Sequence, residues 1–129
     1  MKVTVMNQDA EYHAQADSGM ELRILFGEGK PAEDTTMNPV ELFASALGMC
    51  IAAMLRKYCI EHDLDAGPVT VDLESDWKPG KPSCEDLRVQ VNVEGDWDRR
   101  RKAAFLKVAE TCPVHQTIAN CSSLSIDIV

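Results

Sequence analysis

The chain has no surplus of positive charge: 13 lysines and arginines stand against 21 aspartates and glutamates, a formal charge of −8. A nucleic-acid backbone or an anionic membrane would be repelled, so neither is expected as a main partner. The one basic run, Arg99-Arg100-Arg101-Lys102, is flanked by Asp96, Asp98 and Glu110 and reads as a solvated helix face. The start, Met1-Lys2-Val3-Thr4-Val5, has no apolar segment of signal-peptide length, and no later stretch is expected to span a bilayer. A cytosolic protein is expected. A paired cysteine framework is also missing, because five cysteines at irregular spacing do not resemble a small secreted domain. In a reducing compartment such thiols are core filler, metal ligands or redox groups. No CxxC or HxxxH pair occurs, so neither a metal nor another cofactor is expected. There are no internal repeats or low-complexity tracts.

What is present fits one domain over residues 1–129, with 45% apolar residues, enough for a core without staples. Val3 and Val5 suggest a first strand, and Glu11 to Ala16 and Met20 to Phe26 flank Asp17-Ser18-Gly19 as a hairpin. Residues 27 to 37, with Gly27, Gly29 and Pro31, read as a loop. Asn38-Pro39-Val40-Glu41 is a capping box with proline at the first helical position. The helix it opens runs to about His62, with Phe43, Leu47, Cys50, Met54 and Tyr58 as an apolar stripe. Cys59, roughly 180° from Cys50, is excluded from that face.

Beyond Gly67-Pro68, Val69, Val71 and Leu73 alternate with polar residues, as do Leu87, Val89, Val91 and Val93. These segments predict an antiparallel pair with a polar outer face. A second helix is expected from about Asp98, with Phe105, Val108, Ala109 and Cys112 on one stripe. Pro113 then restarts the chain as a short helix with Cys112 at its N-cap and Asn120 at its end. Leu124, Ile126 and Ile128 suggest a last strand. The pattern indicates an α+β domain, a mostly antiparallel sheet covered by helices. The N-terminal hairpin is sparse in apolar residues, and docking on a second subunit would supply the missing surface.

Two thiols stand out. At Cys112, a helix beginning at Pro113 presents free N–H groups and the positive end of its dipole, which favours the thiolate, and His115 lies on the same first turn. Against this stands a small apolar cap beside a surface histidine. Cys50, on an apolar stripe, reads more simply as core, although Gly48 marks a place where another element packs close. Two other chemistries use the same residues. A metal site could draw on Cys112, His115, Cys121 and Cys84, but it lacks the usual ligand pair. A hydrolase set could use Cys112, His115 and Asn120, but it leaves little room for an acyl group between Cys112 and His115.

The segment Asn38-Pro39-Val40-Glu41-Leu42-Phe43-Ala44-Ser45-Ala46-Leu47-Gly48-Met49-Cys50 resembles the signature helix of the OsmC/Ohr family. Cys112-Pro113-Val114-His115 resembles its second cysteine motif, and the intervening strand pair also matches, so the resemblance covers about residues 35 to 129. It implies an OsmC-like α+β fold with a long central helix, in an intertwined homodimer. It also implies a peroxidase in which Cys50 attacks an organic hydroperoxide and Cys112 resolves the sulfenic acid as a disulfide, with an external dithiol as reductant. Glu41 and His115 are supporting candidates. The chain departs from the family's peroxidases at Val40, where they carry a glutamate that holds an N-terminal arginine. Arg23 is the one arginine of that region to set against theirs. The alternative is an OsmC-like protein that binds a small apolar molecule or senses redox state without peroxidase activity. The resemblance assigns no role to Cys59, Cys84 or Cys121.

Overall fold

The computed structural model describes residues 1–25 and 36–129, so most of the loop expected over residues 27–37 lies outside the described residues. The chain is α+β and divides into two compact units, Met1–Phe43 and Ala44–Val129.

In the first unit β1 (Val3–Gln8), β2 (Glu11–Ala16) and β3 (Glu21–Leu25) form an antiparallel sheet in that order. The tight turns between them rest on left-handed residues, Asp9 at φ 53° and Gly19 at φ 84°, conformations that Asp tolerates and Gly adopts freely. The register Val5↔Ala14↔Leu22 gathers the aliphatic side chains on one face. That face is open: Val5 is 62% exposed. On the other face Glu11 accepts from both Arg23 and His13, and these two hydrogen bonds, Arg23 first, hold its carboxyl down to about 2.

Helix α1 (Pro39–Glu61) begins in the last residues of the first unit. The capping box is formed as the sequence indicates: Asn38 Oδ1 accepts the N–H groups of Val40 and Glu41 at 2.9 and 3.0 Å. Glu41 Oε2 in return accepts the Asn38 N–H at 2.9 Å. The helix ends in a Schellman arrangement. Leu64 N–H bonds Cys59 O at 2.9 Å and Asp63 N–H bonds Ile60 O at 3.2 Å, with Asp63 left-handed at φ 51°. By length and composition this helix could cross a membrane, with a mean hydropathy of 1.4, which corrects the expectation that no stretch qualifies. Its 23 residues carry few charges because one face builds the core.

That face is not the one expected. Leu47, Ile51, Leu55 and Cys59 are buried, while Cys50, Met54 and Tyr58 flank them half-buried and Phe43 is 48% exposed. The helix is apolar around most of its circumference, so two neighbouring stripes fit a 3.6-residue period and the fold selects between them. Burial of Leu55, which has no exposed surface, contributes about 2 kcal/mol.

In the second unit β4 (Val69–Glu74) and β5 (Arg88–Val93) pair antiparallel, Val71 opposite Val91 and Leu73 opposite Val89. Gly48 is where β4 meets α1: a β-carbon there would lie 2.8 Å from Leu73 Cδ1. Helix α2 (Arg99–Glu110) is capped by Asp98, whose side chain accepts from Arg101 N at 2.7 Å. Helix α3 (Pro113–Asn120) follows, with Cys112 at its N-cap and Pro113 in its first turn. Two expectations fail here. Residues 121–129 form no strand, and Leu124, Ile126 and Ile128 are almost fully exposed. The alternation predicts an extended segment, but a strand also needs a partner edge. Arg101, assigned to a solvated face, instead turns inward and donates to Tyr58 Oη at 2.7 Å, its guanidinium 5.9 Å from the ring centroid.

Candidate functional site: a pair of thiols at the start of α3

The α2–α3 junction places Cys112 against the middle of α1. Pro113 ends the hydrogen-bonding of α2 and starts α3, so the chain turns at Cys112 and carries its side chain inward, where it is 0% exposed. There Cys50 packs against the same core cluster, and Cys50 and the backbone N–H groups of Val114 and His115 all act electrostatically on the thiol, which makes no side-chain cap hydrogen bond. Both cysteines are free thiols, with Cys50 partly exposed and Cys112 enclosed.

The electrostatics at Cys112 reverse the sequence expectation. Burial pushes the thiol up, and the neighbouring Cys50 thiol adds to this. The two amide N–H groups act in the opposite direction, as the helix-terminus argument requires, but they rank behind desolvation. The N-cap position was legible in the sequence, and the depth of burial was not.

The other candidates are placed as follows. His115 lies on the first turn of α3 with Nδ1 donating to Glu110 O at 3.0 Å, and it is the backbone of this residue that acts electrostatically on Cys112. Glu41 is engaged in the helix cap. Arg23 is held by Glu11 on the N-terminal sheet. Asn120 bonds back to Gln116 O and Oε1 at 3.0 Å each, away from any hydrolase set with His115. Cys84 sits 2.8 Å from Ser75 Oγ, and Cys121 is exposed beyond α3. Among the described residues no group of three or more candidate ligands could hold a metal ion.

Sequence reasoning missed a second thiol neighbourhood. Cys59 is buried on the core stripe of α1, and burial raises its pKa against the opposing pull of Arg101. Tyr58, beside it, stacks on His62 at 4.0 Å between centroids and meets Phe105 edge-on at 5.9 Å. The one hint in the sequence was Tyr58 itself, a phenol whose hydroxyl needs a partner when half-buried.

With this geometry established, the comparison with known proteins is direct: the profile of the OsmC-like protein family matches residues 30–127. The chain belongs to the OsmC-like family. Solved structures of the OsmC-like fold agree. A Psychrobacter arcticus protein described as a putative osmotic stress induced and detoxification response protein superposes with TM-score 0.71 at 17% identity, over 91% of this chain and 87% of that one. An OsmC-like protein from Mycoplasma pneumoniae gives 0.71 at 15% identity, over 94% and 88%. An organic hydroperoxide resistance protein from Elizabethkingia anophelis gives 0.60 at 21% identity, over 93% and 90%. No curated protein matches the chain. At these identities the OsmC-like likeness establishes the fold.

Proposed function

We propose that this OsmC-like protein is a thiol-dependent peroxidase that reduces organic hydroperoxides. The observation that carries the reading is the pairing in one core cluster of a partly exposed thiol, Cys50, with an enclosed one, Cys112, on which it acts. Cys50, as thiolate, attacks the outer peroxide oxygen. The O–O bond breaks, Cys50 becomes a sulfenic acid, and the alkoxide takes up a proton to leave as an alcohol. The proton held on Cys112 leaves as its sulfur displaces hydroxide from the Cys50 sulfenic acid, giving a disulfide and water. An external dithiol returns two electrons and two protons. Apolar residues around Cys50 favour an alkyl or aryl peroxide over hydrogen peroxide, since burial of the organic part supplies binding energy.

The same reading puts the protein in the cytosol, where its thiols stay reduced. It also makes the protein a homodimer. Support for the dimer comes from apolar residues left open along α1, with Met49 63% and Ile60 58% exposed, and from the open aliphatic face of the N-terminal sheet. Sedimentation at micromolar concentration should give twice the chain mass.

A second reading, a redox-sensing or small-molecule-binding protein without turnover, is favoured by the placement of guanidinium groups. Arg101 serves Tyr58 and faces Cys59, and Arg23 serves Glu11. Stopped-flow oxidation by an alkyl hydroperoxide separates the two readings. The peroxidase must outpace free cysteine by orders of magnitude and lose that rate in Cys50→Ser. A rate equal to that of free cysteine leaves only the second reading.

A further inference from the structure

A groove of about 380 Å³ opens on the second unit between β5, α2 and α3. Val89, Val91, Leu106 and Ile118 form its apolar walls, from 37% to 61% exposed, and it reaches down to Leu47 and Ile51 of α1. His115 lines the groove. Because a carbonyl oxygen only accepts, the contact of Nδ1 with Glu110 O places the proton on Nδ1, and in the neutral ring Nε2 is then a hydrogen-bond acceptor. Among the described residues none bonds Nε2. Glu110 also lines the groove, and the chain carries a charge of −8, so an anionic head is disfavoured. What fits is an apolar body with one uncharged O–H donor.

His115 is also tied to the thiol pair through the backbone, since Cys112 is the N-cap of α3, His115 lies in the first turn that follows, and the next residue, Gln116, bonds Cys112 O at 2.9 Å. One residue therefore has its side chain in the groove and its main chain in the turn that carries the thiol. A ligand that fixes the imidazole fixes the first turn of α3 against Cys112, and any change at Cys112 is felt by the ligand in the same measure.

We propose that this groove binds a neutral alkyl or aryl alcohol and that its occupancy alters the reactivity of Cys112. The link between groove and thiol exists whatever oxidises the pair, so the proposal stands apart from the peroxidase reading. An alcohol of about six to ten carbons suits the volume.

The test titrates 1-octanol into the reduced protein while following the His115 ring nitrogens by NMR. Diamide, a diazene that takes two electrons and two protons from a thiol pair, then measures the rate of disulfide closure. Octanol should bind saturably and shift Nε2, with octanoate and methyl octyl ether weaker by roughly tenfold or more. At saturation the closure rate should change by about twofold or more. Leu106→Glu, a substitution at an exposed position that leaves the core intact, should abolish both effects. Unsaturable binding, equal affinity for octanoate, an unchanged closure rate at saturation, or full binding in Leu106→Glu each overturns the proposal. None of these outcomes touches the stopped-flow comparison on which the peroxidase reading depends.

Discussion

Helix α1 carries two thiol neighbourhoods, and their contents differ. Around Cys50 are a second sulfur and, through Cys112, two backbone N–H groups. Around Cys59 are a guanidinium and a phenol, and among the described residues no second thiol acts on it. Both buried thiols, Cys112 and Cys59, are pushed up by desolvation as the largest effect. A full positive charge near Cys59 and backbone amides near Cys112 each oppose burial without outranking it. The difference that matters is therefore not acidity but neighbourhood: a second thiol acts on Cys112, and among the described residues none acts on Cys59.

The sharpest way to break this comparison is to remove the partner. Cys112→Ser should abolish disulfide formation and leave Cys50 one oxygen heavier after an alkyl hydroperoxide, read by intact mass, whereas Cys59→Ser should form the disulfide as the wild type does. An equally oxidised Cys59 would erase the distinction. Leu55→Ala removes the fully buried side chain on the core stripe and should cost about 3 kcal/mol in urea unfolding. Gly48→Val should cost about 1–3 kcal/mol by forcing α1 away from Leu73, and it should loosen the Cys50 region more than that of Cys59 by amide exchange. Tyr58→Phe deletes the hydrogen bond to Arg101 at a cost of about 1 kcal/mol, while disulfide closure stays at the wild-type rate.

The smallest effect is a slope with pH. The folded pKa of Cys112 is raised, so its contribution is fully present below the ordinary thiol range and is lost as pH rises through it, because the unfolded chain ionises first. Urea midpoints from neutral to alkaline pH should therefore fall more steeply in the wild type than in Cys112→Ser. A parallel pair of curves would show that burial of Cys112 does not hold its proton.

Much of this was legible from local chemistry. Asn38 and Glu41 specify a helix start with side-chain groups three residues apart, and Cys112-Pro113 specifies another, so both appear where the sequence put them. Gly48 foretold a close neighbour, and β4 supplies it. What stayed hidden depends on tertiary contacts. The choice between two apolar stripes on α1 is made by what packs against it, which moves Cys59 into the core and Cys50 to its margin. Arg101 read as solvated because nothing near it in sequence names Tyr58, 43 positions away, as its acceptor. The alternation of Leu124, Ile126 and Ile128 is intrinsic, but the edge that would make it a strand is not. Arg23 could be set against the family's arginine by sequence region, yet its side chain is committed to Glu11.

The packing of Cys50 against the core cluster that holds Cys112 also bears on how long any oxidised intermediate survives. In the proposed cycle, a sulfenic acid formed on Cys50 would have its resolving thiol in the same core cluster, so condensation would require no search through solvent. The exposed interval during which a second oxidant could drive Cys50 to the irreversible sulfinic state is correspondingly brief. On the proposed mechanism each oxidising encounter should be recorded as a reducible bond, so the protein should fail slowly even when peroxide is in excess.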